Sequence, residues 1–137
     1  MVAAGVAAVI VAVIYAATGS DDRVYDPDVA ASQVRFTAGE HRFEEATVRA
    51  LAGTVTIELL NEANGAHDLA VMQQGVEISR SIDFDASQAV GKTEWTAPRS
   101  SSSLTIELEP GTYQVVCTLP GHVENGMEAL LIVEAAS

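Results

Sequence analysis

Apolar and polar residues alternate with a period of two along much of this chain. Val34, Phe36 and Ala38 alternate with Arg35 and Thr37, and Val55, Ile57 and Leu59 with Thr54, Thr56 and Glu58. Successive side chains on a strand point to opposite faces, so each run predicts a half-buried strand. The alternation returns in Leu104, Ile106 and Leu108 against Thr105, Glu107 and Glu109, then in Tyr113, Val115 and Cys117 against Gln114 and Val116. Pro110-Gly111 between these two runs reads as the turn of a hairpin. Further strands are expected at residues 47–51, 67–72 and 129–134, with turn signals at Gly53, Asn64-Gly65 and Gly75. Seven or eight short strands predict an all-β sandwich or barrel. Residues 75–95 follow neither template for long and read as a loop-rich excursion with a helical turn at 85–90, while residues 99–103 (RSSSS) read as a polar loop. No internal repeat is visible.

The N-terminus is a different material. Residues 2–17 are an uninterrupted, largely aliphatic run, and all charge lies beyond Ser20. A spanning helix needs about 20 residues with a lower limit near 17, and Thr18 and Gly19 extend the run to that range. No Lys or Arg precedes it and Ala17-Thr18-Gly19 is a poor cleavage site, so an uncleaved hydrophobic helix anchoring residues 1–20 in a membrane is favoured over a cleaved signal and secretion. Either reading exports the domain, to the periplasm or cell surface. Residues 21–33, with Pro27 and four aspartates, read as a linker. Residues 34–137 then form one domain, and a chain of this size buries roughly two-thirds of its unfolded surface.

Charge and cysteine count narrow the chemistry. Nineteen acidic residues against seven basic ones give a net charge of -12, which argues against nucleic acid and favours a cationic partner or simple solubility. The single cysteine excludes an intrachain disulfide, leaving Cys117 as a buried thiol, a reactive thiol or a metal ligand.

The stretch CTLPGHVENGM spaces Cys117, His122 and Met127 as Cys-x4-His-x4-Met. Strand alternation points Cys117 inward with Tyr113 and Val115, and Pro120-Gly121 turns the chain so that His122 and Met127 return towards it. A thiolate and an imidazole with a weak thioether suit copper, the first two binding both redox states and the third acting as a loose axial contact. A second histidine is required, and His67, at the start of a predicted strand after an Asn-rich turn, is the candidate. His41 lacks such a setting and, like Met72, is expected to be solvated. Trp95 and Phe36 are expected in the core, and Tyr113 is expected to act as a packing or corner tyrosine.

The stretches AGTVTIELLNEANGAHDLAV and LEPGTYQVVCTLPGHVENGMEALLIV resemble the two copper-binding segments of the cupredoxins, the plastocyanin and azurin superfamily. The Cys-x4-His-x4-Met loop is most similar to those of auracyanin, sulfocyanin and rusticyanin. The resemblance spans residues 34–134 and implies a Greek-key β-sandwich. It also implies a single type 1 copper, Cu(I)/Cu(II), with His67, Cys117 and His122 as strong ligands and Met127 as the axial one. Two positions depart from the pattern. Asp68 stands where many members have Asn, and Glu128 where a small or basic residue is common. Asp68 retains the ability to accept hydrogen bonds from the Cys117 loop, for example from Thr118, but a carboxylate near the site favours Cu(II).

Other chemistries fail on inventory. A cysteine hydrolase gives Met127 no role, structural zinc makes poor use of a thioether, and multicopper sites need more histidines than three. The expectation is therefore not an enzyme but a monomeric one-electron carrier, exchanging electrons with exported or membrane-bound redox partners. The partner would be a cationic, cytochrome-like protein. By the resemblance, His122 presents its ring edge at the surface within an apolar patch of Leu119, Pro120, Gly121 and Val123. The alternative is a copper-binding or copper-handling module with no electron-transfer role.

Overall fold

The computed structural model describes residues 29–136. The expected anchor (1–20) and most of the expected linker lie outside them. Among the described residues, eight strands run in chain order: β1 (Gln33–Ala38), β2 (Thr47–Leu51), β3 (Gly53–Asn61), β4 (Ala70–Met72), β5 (Ala89–Lys92), β6 (Ser100–Leu108), β7 (Gly111–Val116) and β8 (Glu128–Glu134). They form two mixed sheets, one ordered β1-β3-β6 and the other β2-β8-β7-β4-β5, with β1/β3 and β2/β8 parallel. The all-β sandwich is the expected fold. It also takes in the last residues assigned to the linker: Ala31 bridges Ala50, and β1 begins at Gln33.

Parity decides what is buried. Val34, Phe36 and Ala38 of β1, Val55, Ile57 and Leu59 of β3 and Leu131 and Val133 of β8 fill one core together with Val115 and Cys117. Phe36 meets Phe43 edge to face with ring centroids 5.7 Å apart, an arrangement aromatic pairs favour. The hydroxyl of Tyr113 donates to Glu109 O at 2.6 Å, four residues upstream, the local tie of a corner tyrosine.

Several expectations are corrected. Residues 104–108 and 113–117 are not a hairpin: β6 pairs with β3 and β7 with β4 and β8, so Pro110-Gly111 carries the chain from one sheet to the other. Residues 100–103 are not a loop but the start of β6, whose backbone pairs with residues 58–61 of β3 while the serines stay largely outside the core. Of residues 67–72 only Ala70–Met72 form a strand, and His67 is held instead by an isolated bridge to Thr96. That bridge explains Trp95. Thr96 takes the inward position, so its neighbour turns outward and Trp95 is 68% exposed rather than in the core.

Met72, expected to be solvated, is buried in a second cluster with Ile78, Val116 and Val123, against which Val76, Phe84 and Ala89 pack. The excursion after Gly75 supplies this cover, with short 3-10 turns at Ser81–Asp83 and Ala86–Gln88. Gln114 pins it, accepting from Ile78 N and donating to Ile78 O, both at 2.9 Å. The apolar residues of the excursion thus serve the outer face of a sheet, which imposes no period on a loop. The excursion ends in β5, a strand the sequence pattern does not reveal. Gly91 lets β5 lie close to β6, since a Cβ there would stand 3.0 Å from Ile106 Cγ2 and 3.1 Å from Leu104 Cδ1.

Candidate metal centre

The residues gathered at one end of the sandwich come from two connections. Cys117 follows β7 and is fully buried. Beyond it, Gly121 adopts φ 82°, a left-handed turn that glycine makes without strain. His122 N then donates to Leu119 O at 3.1 Å, Met127 N to His122 O at 2.9 Å and Cys117 N to Met127 O at 3.2 Å. The backbone closes the loop on itself, which brings Met127 back beside Cys117, and its side chain is fully buried.

His67 arrives from the other connection, between β3 and β4. Asn61 organises it. The side chain is fully buried, donates to Gly65 O at 2.9 Å and Thr96 O at 2.8 Å, and accepts from Ala63 N at 2.9 Å. Asn61 is not among the expected site residues, yet its signal is in the sequence: it shares the inward parity of Val55, Ile57 and Leu59, and an amide on a core-facing position must find partners.

His67 Nδ1 stands 3.8 Å and His122 Nδ1 3.4 Å from Cys117 Sγ, and the donor atoms of all three residues lie within 4.8 Å of one another. Two donors bound to one ion at about 2.0–2.3 Å stand about 3.5–4 Å apart. His67 is 1% exposed. Its Nε2 has no hydrogen-bonding partner among the described residues, and its Nδ1 faces a sulfur. An imidazole buried this way costs about 1–3 kcal/mol unless something binds it. Burial pushes the Cys117 thiol up to about 11, against the opposing pull of the Asp68 and Leu119 N–H groups. Burial, then the charge of His122, lowers His67; burial, then the charge of His41, lowers His122. The cluster by itself therefore holds neutral imidazoles with lone pairs available and a thiol that only a nearby cation would ionise. Such a donor set fits a soft metal ion.

Asp68 accepts from Thr118 N at 2.6 Å and Thr118 Oγ1 at 2.5 Å, the hydrogen bonds expected of it, and ties the two connections together. Its backbone N–H donates to Cys117 Sγ at 3.5 Å. Glu128 points away into a hydrogen bond from Gln114 Nε2 at 2.9 Å. His41 is exposed, as expected, but its ring lies edge-on to His122 with centroids 6.1 Å apart, a neighbour that sequence distance hides. Around the partly open His122, Leu119 and Gly121 are half-buried and Pro120 exposed. Val123 is not part of that patch; it is buried at 2% in the second cluster, because the turn after His122 directs it inward.

No curated protein matches the chain. Among solved structures, dithionite-reduced auracyanin from the photosynthetic bacterium Roseiflexus castenholzii superposes with a TM-score of 0.68 at 20% identity, covering 77% of this chain and 99% of that one. Auracyanin B gives 0.66 at 21% identity, with 82% and 95% covered. Auracyanin A, a blue copper protein of the green thermophilic photosynthetic bacterium Chloroflexus aurantiacus, gives 0.60 at 21% identity, with 74% and 99% covered. These likenesses establish the shared sandwich. Residues 30–134 match the copper binding proteins of the plastocyanin/azurin family. With that match over most of its length and a donor cluster suited to copper, the chain belongs to the plastocyanin/azurin family of copper-binding proteins.

Proposed function

We propose that the chain is a one-electron carrier with a single type 1 copper held by His67, Cys117, His122 and Met127. The observation that carries this reading is the buried Cys117 sulfur faced by the Nδ1 atoms of two histidines, of which only His122 is partly open to solvent. When bound, copper supplies the one-electron Cu(I)/Cu(II) couple. The chain's residues do the rest. Backbone bonds within the loop and the Asp68–Thr118 clamp fix the donors, so little needs to move on electron transfer. Met127, fully buried and joined to Cys117 through its backbone, helps to keep water from the sulfur. His122, with Leu119, Pro120 and Gly121 around it, presents the site to a partner through a small apolar contact suited to brief docking. The direct test is one equivalent of Cu(II) added to the protein. An intense visible thiolate-to-copper band is expected, and a reversible one-electron couple would separate a carrier from a copper-handling module; a colourless complex would overturn the reading.

Met127→Leu should keep the band and raise the reduction potential, because loss of the weak thioether donor disfavours Cu(II). Potentiometric titration checks this, and a lowered potential would rule out Met127 as a weak ligand.

The partner is read from charge. The net -12 lies beyond Ser20, while Leu119, Pro120 and Gly121 beside His122 carry no charge. A cationic cytochrome would be steered from a distance and meet an uncharged contact. Its stopped-flow reduction rate should fall steeply as the Debye length shortens from about 30 Å at 0.01 M to about 8 Å at 0.15 M salt. A flat rate would leave the acidic surface a solubility feature.

A carrier of this kind would work on the extracytoplasmic side, anchored through residues 2–19. Full-length protein should stay with membranes after a high-salt wash while residues 21–137 stay in solution. A mature chain beginning near residue 20 would favour secretion after cleavage.

A further inference from the structure

Asp68 is a carboxylate with no exposure, next in sequence to His67 and hydrogen-bonded through both oxygens to the residue after Cys117. A charge so placed is costly if unpaired and favours the more positive state of a neighbouring redox centre. Among the described residues one cation reaches it: Lys92 Nζ, at 3.4 Å. Lys92 is the chain's single lysine, and it ends β5, where it pairs with Ala70 of β4. Ala70 and Asp68 are two residues apart, which brings the long Lys92 side chain within diagonal reach of the carboxylate. Its ammonium also donates to Thr93 O at 3.1 Å, which directs it at this spot. The Lys92 side chain is 36% exposed and that of Asp68 0%, so the pair joins a partly solvated ammonium to a buried carboxylate.

We infer that Lys92 is a positioning residue that sets the reduction potential by offsetting the buried charge of Asp68. The pair then works as a near-neutral clamp between the two connections that carry the donors. The acidic residue keeps its hydrogen bonds to Thr118 without its full electrostatic pull towards the oxidised state. This inference rests on the copper reading above.

The test uses the full-length protein in two forms. With copper bound, Lys92→Met should lower the equilibrium constant for reduction about tenfold, which is about 59 mV for one electron. Lys92→Arg should restore it, and Asp68→Asn combined with Lys92→Met should return it towards the unmodified value. Without copper, Lys92→Met should lower the urea midpoint when Asp68 is present and leave it unchanged in the Asp68→Asn background. If Lys92→Met fails to fold, Lys92→Gln serves in both comparisons. An unchanged potential, or shifts of equal size with Asp68 and with Asn at that position, would overturn the inference, as would equal urea losses in both backgrounds. Absence of the visible band in the unmodified chain sinks the copper reading instead, and the urea comparison still decides whether the two charges are coupled.

Discussion

Cys117→Ser is expected to abolish the intense visible band of the copper-loaded protein, even where some copper remains bound. The band requires a thiolate able to transfer charge to the metal, and a serine hydroxyl supplies neither the soft sulfur nor an accessible anion. The position leaves no substitute, since Cys117 is the chain's one cysteine and two imidazole nitrogens face its sulfur at 3.4 and 3.8 Å. Absorption spectra recorded beside circular dichroism separate this loss from unfolding. Persistence of the band in a folded Cys117→Ser protein would refute the assignment of sulfur as a ligand.

His67→Ala is expected to weaken copper binding by more than about 100-fold, because loss of a residue merely supporting a ligand already costs about 10–100-fold. His41→Ala should leave the affinity unchanged. The contrast has a structural basis. His67 is buried with Nδ1 towards the sulfur, whereas His41 is exposed and lies edge-on to His122 with ring centroids 6.1 Å apart. Competition with a chelator of known affinity measures both variants. Equal losses would refute the choice of His67 over His41 as the ligand.

Much of the site was legible because its parts are local. Cys117, His122 and Met127 lie within one loop, and the Pro120-Gly121 turn that returns the chain can be read directly. His67 was reachable because its turn chemistry precedes a strand. Lys92 was not legible. It reaches Asp68 only through β5, a four-residue strand whose existence depends on pairing with β4 and on the space Gly91 leaves beside Leu104 and Ile106. His41 was equally hidden, since its place beside His122 follows from how the connection between β1 and β2 packs.

The sequence by itself determined strand parity, and with it the inward direction of Phe36, Ile57, Leu59 and Cys117, because alternation is a property of each strand's own backbone. It also determined the donor loop, whose geometry is closed by its own turn residues. Tertiary structure decided which strands pair. The turn at Pro110-Gly111 crosses between sheets instead of closing a hairpin, the serines of residues 100–103 join β6 against β3, and Trp95 turns outward while Met72 packs against Val116 and Val123 from the far end of the chain. The physical reason is the same in each case. Pairing and cover depend on partners far away in sequence, and period-two alternation says which face is buried without saying what buries it.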